Sequence, residues 1–400
     1  MQFKDIIGQE EIKKSLIETV HNGRVSHAQL FLGKGVNGKM ALAVAYAQYI
    51  NCSERTTTDS CGICSSCVKY KAMSHPDLFF SFPVNKSSKG SKDEAADKKG
   101  KEGGVSKSAS SKELISTMFY KDWLEYLNQC NYYPNLQSWY KKIGLTTQQG
   151  IINVKEARRI IQDVSFKPVE AAYKVLIMWQ PEKMNLSAAN VLLKFFEEPP
   201  SNTLIIMVAD EKEQLLQTIQ SRFQLIAIPK INDKPLIEYL RQKYPKADDE
   251  KMYSAIALAN GDLLKADSFL GEGDQLKEHF LLFQSWMRLC VKKGSLEEIK
   301  NFVEKIARIG RENQKDFLNY SLRVFRESLM MNYGHPCLNR LTVYENQWLL
   351  RFSPFIHINN SVSLIEKFDQ AIFEIGRNAS ASVLFMKLSL DVSMLLKIPR

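Results

Sequence analysis

Apolar and polar residues change period several times along the chain, and each change marks an element. Ile12, Leu16, Ile17 and Val20 recur at spacings of three and four behind Asp5-Ile6-Ile7-Gly8-Gln9-Glu10, which predicts an amphipathic helix. His27 to Leu32 is a short apolar strand that runs directly into Gly33-Lys34-Gly35-Val36-Asn37-Gly38-Lys39, and the alanine-rich stretch from Met40 to Ile50 reads as a helix. Asp77 to Phe82 is a second strand. From Val84 to Lys112 apolar residues almost vanish. A segment that buries so little cannot offset its ordering entropy, so a disordered loop is expected over 84–112. Residues 113–145 are the reverse, crowded with Phe119, Tyr120, Trp123, Tyr126, Tyr132, Tyr133, Trp139 and Tyr140, and predict an ordered insertion. Its aromatics read either as local core or as a platform for stacking bases.

Periodicity resumes at Ile151, with a helix carrying Val154, Ala157, Ile160, Ile161 and Val164. Val175 to Trp179 is an unbroken apolar run, the mark of a strand covered on both faces. A helix follows from about Ser187 to Glu198 and is stopped by Pro199-Pro200; Thr203 to Val208 is another buried strand. Strands alternating with helices at this rhythm predict an α/β fold with a parallel sheet. Beyond Pro229 the strand signal fades. Residues 233–270 read as a small helical unit, with Pro235 near a helix start and Gly261 after a helix end. From about 274 the pattern is helical throughout. The expected organisation is an α/β domain over 1–228, a helical lid over 229–273 and an all-α domain over 274–400.

Bulk numbers narrow this only slightly. Four hundred residues suffice for two or three domains, and 44% hydrophobic with 24% charged is ordinary for a soluble globular chain. No stretch approaches ~18 consecutive apolar residues, so no membrane partner is expected. Met1 to Asp5 lacks the basic and apolar regions of a signal peptide, and a cytoplasmic protein is expected. The net charge of +10 invites a nucleic-acid reading, but residues 84–112 hold eight Lys and four acids, contribute +4 and leave +6 for the rest. That remainder fits a solvated face as well as a track for a phosphate backbone.

Three constellations carry chemistry. A phosphate loop needs backbone N–H groups, a lysine, and a Ser/Thr hydroxyl for Mg²⁺. Gly33, Gly38 and Lys39 supply the first two, but Met40 has no oxygen to offer. An acidic pair should end the buried strand after Ile177-Met178, and the chain has Trp179-Gln180 instead, with Glu182 as the only nearby rescue. ATP hydrolysis with Mg²⁺ is therefore not expected. Cys52, Cys61, Cys64 and Cys67 have the spacing of a structural Zn²⁺ knuckle over 52–67, with free or redox thiols as the alternative. Four thiolates leave no open position for catalysis. Arg222, in Ser221-Arg222-Phe223, is either a surface charge or a guanidinium reaching across a subunit boundary onto a neighbour's γ-phosphate.

Together these pieces resemble the clamp-loader branch of the AAA+ family, and within it the delta-prime subunits of bacterial DNA polymerase III. The residues that carry the resemblance are Asp5 to Gln9, Ser26-His27-Ala28, the glycine loop, the four cysteines, and Asn190-Val191-Leu192-Leu193-Lys194-Phe195-Phe196-Glu197-Glu198-Pro199-Pro200. Ser221-Arg222 matches the start of the family's Ser-Arg-Cys motif, with Phe223 replacing the cysteine. The matches cover roughly 1–80 and 150–265. Motor members place Asp-Glu where this chain has Trp179-Gln180, threonine where it has Ala209-Asp210, and a lid arginine where Gly261-Asp262-Leu263-Leu264 has leucine. The resemblance implies a non-hydrolysing subunit of a pentameric ring whose C-terminal helices form a collar. Its partners would be the delta and gamma/tau subunits, with the sliding clamp and primed DNA reached through the complex. Arg222 would be a trans arginine finger on a neighbour's ATP. The rival readings are an active AAA+ motor ATPase and a stand-alone zinc-dependent DNA-binding protein.

Overall fold

The computed structural model describes residues 1–85, 114–145, 149–271, 275–292, 295–334, 340–377 and 379–399. The expected disordered loop 84–112 lies, beyond Asn85, outside them. Val84 itself is buried and bridges antiparallel to Ile151, so ordered chain continues past the point where low complexity begins. The described residues fall into two compact units, 1–236 with 261–263, and 237–260 with 264–400.

The first unit is built on five parallel strands: β1 (Ala28–Leu32), β2 (Leu78–Ser81), β3 (Lys174–Trp179), β4 (Thr203–Ala209) and β5 (Gln224–Ala227), in the order β2-β3-β4-β1-β5. Every residue of β3 and β4 is buried, as their unbroken apolar runs require of strands covered on both faces. β5 is one strand the periodicity does not announce. It is four residues long, begins with Gln224 and lies at the sheet edge against β1 with Leu225 exposed. β1 lies between β4 and β5, so strand order reverses there and a crevice opens beyond its carboxyl end. The helix Lys39–Ile50 that leaves this crevice is buried along its whole length. This is the α/β, AAA+ arrangement that the resemblance implies.

The aromatic-rich insertion is ordered and packs as core. Its helices, Tyr120–Gln129 and Leu136–Lys142, bring Trp123 and Trp139 together at 5.1 Å between ring centroids. Trp123 also stacks on Phe82 at 4.4 Å and meets Trp179 at 5.0 Å, and the Trp139 indole N–H donates to the Pro83 carbonyl. The two indoles are fully buried and have no face to offer a base, so Trp123 and Trp139 act as local core. The insertion covers the β2 side of the sheet, whereas the β5 edge is exposed.

Among the described residues the second unit is built from helices and their connections. Phe283, Trp286, Phe317, Phe325, Phe368 and Phe385 form its core, drawn from the helices Gln275–Lys292, Arg311–Tyr333, Ile358–Gly376 and Ala381–Leu395. The buried Trp286 indole donates to the Ser389 hydroxyl, and the buried Glu345 carboxylate accepts from Tyr320 and pairs with Arg323. No described helix is long and apolar enough to cross a membrane.

Candidate functional site

The phosphate loop closes on itself. Gly33 has no room for a side chain, because a Cβ there would lie 2.3 Å from the Asn37 amide nitrogen and 2.4 Å from the Ile228 carbonyl. Gly38 has φ +92°, a conformation that favours glycine, and caps the helix Lys39–Ile50. The two groups that would receive phosphate are both taken by carboxylates of the same chain. The Lys39 ammonium lies 2.6 Å from Asp210 and donates to the Gly35 carbonyl at 2.6 Å. The Val36 N–H donates to Asp262 at 3.3 Å. Asp210 follows the end of β4 and accepts a second bond from the Gln180 amide at 2.8 Å.

The space beside the loop is filled as well. Val36, Asn37, Gly38, Lys39, Met40 and Trp179 face Tyr132, Tyr133 and Pro134 of the insertion around a cavity of only about 10 Å³. The Tyr133 hydroxyl accepts from the Ile7 N–H at 3.0 Å, which ties the insertion to the N-terminal segment. Small-molecule sites usually enclose roughly 300–1,000 Å³, and this cavity is far smaller. Met40 is buried in the core, and Trp179 is spent on the indole cluster. Glu182 is the nearby acid beyond β3. Its carboxylate turns to the backbone N–H groups of Asp210 and Glu211, and burial outweighs those bonds to push its pKa up.

The four cysteines converge. Their sulfurs all lie within 4.8 Å of one another, with Cys52–Cys61 at 3.5 Å and both Cys52–Cys64 and Cys61–Cys67 at 3.9 Å. A tetrahedron of thiolates around a metal at ~2.3 Å has edges of about 3.8 Å, which these distances fit. Backbone N–H groups of Cys61, Cys64 and Cys67 donate to the sulfurs of Cys52, Cys61 and Cys64, as thiolate ligands require. Burial works against the Cys64 thiolate, but hydrogen bonds from Ser53 and Cys67 bring its pKa down to about 6. The loop is stitched to the start of the chain, since Asp59 accepts from the N–H groups of Phe3 and Lys4.

Arg222 stands apart from both. It follows the short helix Gln217–Gln220, two residues before the edge strand β5. Its Nε donates to Glu197 at 2.8 Å, its Nη2 pairs with the same carboxylate oxygen, and its Nη1 donates to the Thr218 carbonyl. Of the residues singled out in the sequence, Gly33, Gly38, Lys39 and Trp179 share one site, the cysteines form a second, and Arg222 a third. Asp210, Asp262 and Tyr133 were not legible as parts of the loop, because 226 residues separate Val36 from Asp262 and 126 separate Ile7 from Tyr133.

Residues 8–232 match the family described as DNA polymerase III, delta subunit. The DNA polymerase III subunit delta' of Pseudomonas aeruginosa is 25% identical over 253 residues, 63% of this chain and 58% of that protein. The subunit delta' of Bacillus subtilis is 25% identical over 252 residues, 63% of this chain and 55% of that one. A subunit gamma/tau of Mycobacterium tuberculosis is 24% identical over 262 residues, 65% of this chain but 34% of that protein. The chain thus spans between a third and three-fifths of the length of these relatives. A solved gamma subunit-related protein from Thermotoga maritima aligns over 98% of the chain at 14% identity with a TM-score of 0.33, too slight a likeness to bear on the fold. The family match extends over more than half of the chain and takes in every strand of the sheet. The protein belongs to the DNA polymerase III delta-subunit family of clamp-loader proteins.

Proposed function

We propose that this chain is a non-hydrolysing subunit of a DNA polymerase III clamp loader, of the delta-prime kind. In this role it works in the cytoplasm beside delta and gamma/tau subunits, helps place a sliding clamp on primed DNA, and lends Arg222 to a neighbour's ATP site. The observation that carries the reading is the loop occupied by its own residues: Asp210 holds Lys39, Asp262 holds the Val36 N–H, and Tyr133 closes the space where a nucleotide would lie. A motor subunit needs that space empty and that lysine free. The three-part organisation, 1–228, 229–273 and 274–400, belongs to this proposal. So does a structural Zn²⁺ on Cys52, Cys61, Cys64 and Cys67, which would brace the loop 52–67 and supply no chemistry.

Two surfaces support assembly. β5 is an edge strand with an exposed Leu225 next to Arg222, a place where a partner can be received. The helix Ile358–Gly376 leaves Ile358, Val362 and Ile365 exposed at spacings of four and three, an apolar stripe that suits a helical collar. The test is reconstitution with the delta and gamma/tau subunits of the same source. Arg222→Ala should leave the ring intact and slow DNA-stimulated ATP hydrolysis and clamp loading. Hydrolysis by the isolated chain above a Lys39→Ala control would favour the motor reading instead.

A further inference from the structure

We propose that Glu197 is the positioning residue for Arg222, holding the guanidinium in one orientation before a neighbouring subunit arrives. The inference rests on the reading of Arg222 as a trans finger. Glu197 ends the helix Leu186–Glu197, where the helix dipole disfavours a carboxylate and Pro199-Pro200 prevents further turns. A cation there is therefore expected on physical grounds alone. The geometry goes further than charge balance. Nε and Nη2 of Arg222 both address one Glu197 oxygen, while Nη1 donates to the Thr218 carbonyl, so the guanidinium plane is fixed from two sides. Of its five N–H bonds these take three, and Nη1 also makes a long 3.4 Å bond to the Ser221 hydroxyl, which leaves one N–H on Nη2 with no partner among the described residues. That Nη2 donor, and Nη1 once it gives up the long Ser221 contact, are the donors available to phosphate oxygens.

The backbone under this pair is pinned one residue away on each strand of the contact. Phe196, adjacent to Glu197, packs edge-on against Phe223, adjacent to Arg222, with ring centroids 5.1 Å apart at 80°. Both phenyl rings are buried. Phe223 stands where the family motif has cysteine, so this chain anchors the arginine with a large apolar contact as well as an ion pair. A side chain fixed in this way loses less rotamer freedom when it meets phosphate, and a fork misplaced by about 1 Å can lose ~10²-fold in rate.

The experiment measures ATP hydrolysis and clamp loading by the reconstituted ring containing wild-type chain, Arg222→Ala, Glu197→Ala, Glu197→Gln, or Glu197→Ala with Arg222→Ala. Glu197→Ala should lower kcat about tenfold at the neighbouring site with little change in KM, because orientation and not nucleotide affinity is lost. Glu197→Gln keeps an acceptor oxygen for Nε and should recover part of the rate. The double variant should be no slower than Arg222→Ala, since Glu197 acts only through the arginine. If Arg222→Ala is silent, the finger reading fails. If Arg222→Ala is slow and Glu197→Ala is not, the finger stands and this positioning role is overturned. An effect of Glu197→Ala that adds fully to that of Arg222→Ala also overturns it. Equal melting temperatures for Glu197→Ala and wild type exclude misfolding as the cause; should Glu197→Ala melt lower, Glu197→Gln carries the comparison.

Discussion

The Lys39 ammonium lies 2.6 Å from the Asp210 carboxylate, with the lysine side chain nearly buried and the aspartate over a third exposed. This inequality makes the pair asymmetric under mutation. Asp210→Ala strands an ammonium inside the protein, a loss of about 1–3 kcal/mol once the partial exposure of the pair is allowed for. Lys39→Met leaves Asp210 with its Gln180 bond and access to water, and should cost about 1 kcal/mol or less. Urea unfolding of the two variants checks the order. The reverse order would mean that the Gly35 carbonyl, and not Asp210, is the partner that chiefly holds Lys39.

Closure of the loop by the insertion predicts that the isolated chain binds no ATP at millimolar concentration, measured by equilibrium dialysis. Tyr133→Ala should remove the ring that lies 3.4 Å from where a Gly38 Cβ would be, and open the space. Even then hydrolysis is not expected, since Met40 and Trp179 offer Mg²⁺ no oxygen. Turnover by Tyr133→Ala above a Lys39→Ala control would show that the missing ligands are supplied elsewhere.

The contrast between these sites shows what a linear pattern can carry. β1, β3 and β4 are legible because a strand covered on both faces must be apolar throughout, and Ala28 to Leu32, Lys174 to Trp179 and Thr203 to Ala209 nearly are. The cysteine cluster is legible because one short loop brings all four sulfurs together. β5 escapes because an edge strand starting at Gln224 has no buried face to announce it. Val84 escapes because a single buried residue at the border of a Lys/Ser/Gly tract has no period. The loss of acids at Trp179-Gln180 was readable, but not that Trp179 gives its ring to Trp123, 56 residues earlier in the chain.

Zinc should be present at one per chain in protein purified without chelator, by elemental analysis. Cys64→Ser should release it and destabilise the first unit, because a structural metal contributes folding free energy directly. Its effect on assembly should follow stability and not any chemical step. Protein that carries no zinc, and melts at the same temperature with and without the fourth thiol, would return the cluster to the status of free thiols.

Val362→Asp tests the apolar stripe of the helix Ile358–Gly376. Val362 is exposed, so a charge there should change the stability of the isolated chain by less than ~0.5 kcal/mol. Within a ring the same charge would be desolvated, and assembly with the other subunits should weaken at least tenfold by gel filtration or light scattering. Unchanged assembly would remove this stripe from the interface.

Asp77 gives a stability difference with a defined pH window. Its carboxylate accepts from the N–H groups of Val169, Glu170 and Ala171 at 2.7–3.0 Å and so fastens the loop before β3 to the start of β2. Burial alone would raise its pKa, but the three backbone donors outweigh burial and lower it below 3.8. A carboxylate whose folded pKa is depressed contributes stability that is fully present above the unfolded value, near pH 4, and is lost as pH falls through the folded value. Asp77→Asn keeps the shape, removes the charge and turns one acceptor into a donor facing those N–H groups. It should therefore destabilise the protein by about 1–3 kcal/mol at pH 7. The gap between wild type and variant should stay constant from pH 7 to about 5 and narrow below pH 4. Urea titrations at pH 7, 5 and 3.5 measure it. A gap that widens between pH 7 and 5 instead would report His75, 3.5 Å from Glu170, whose protonation the neighbouring Asp77 charge favours in wild type and not in the variant.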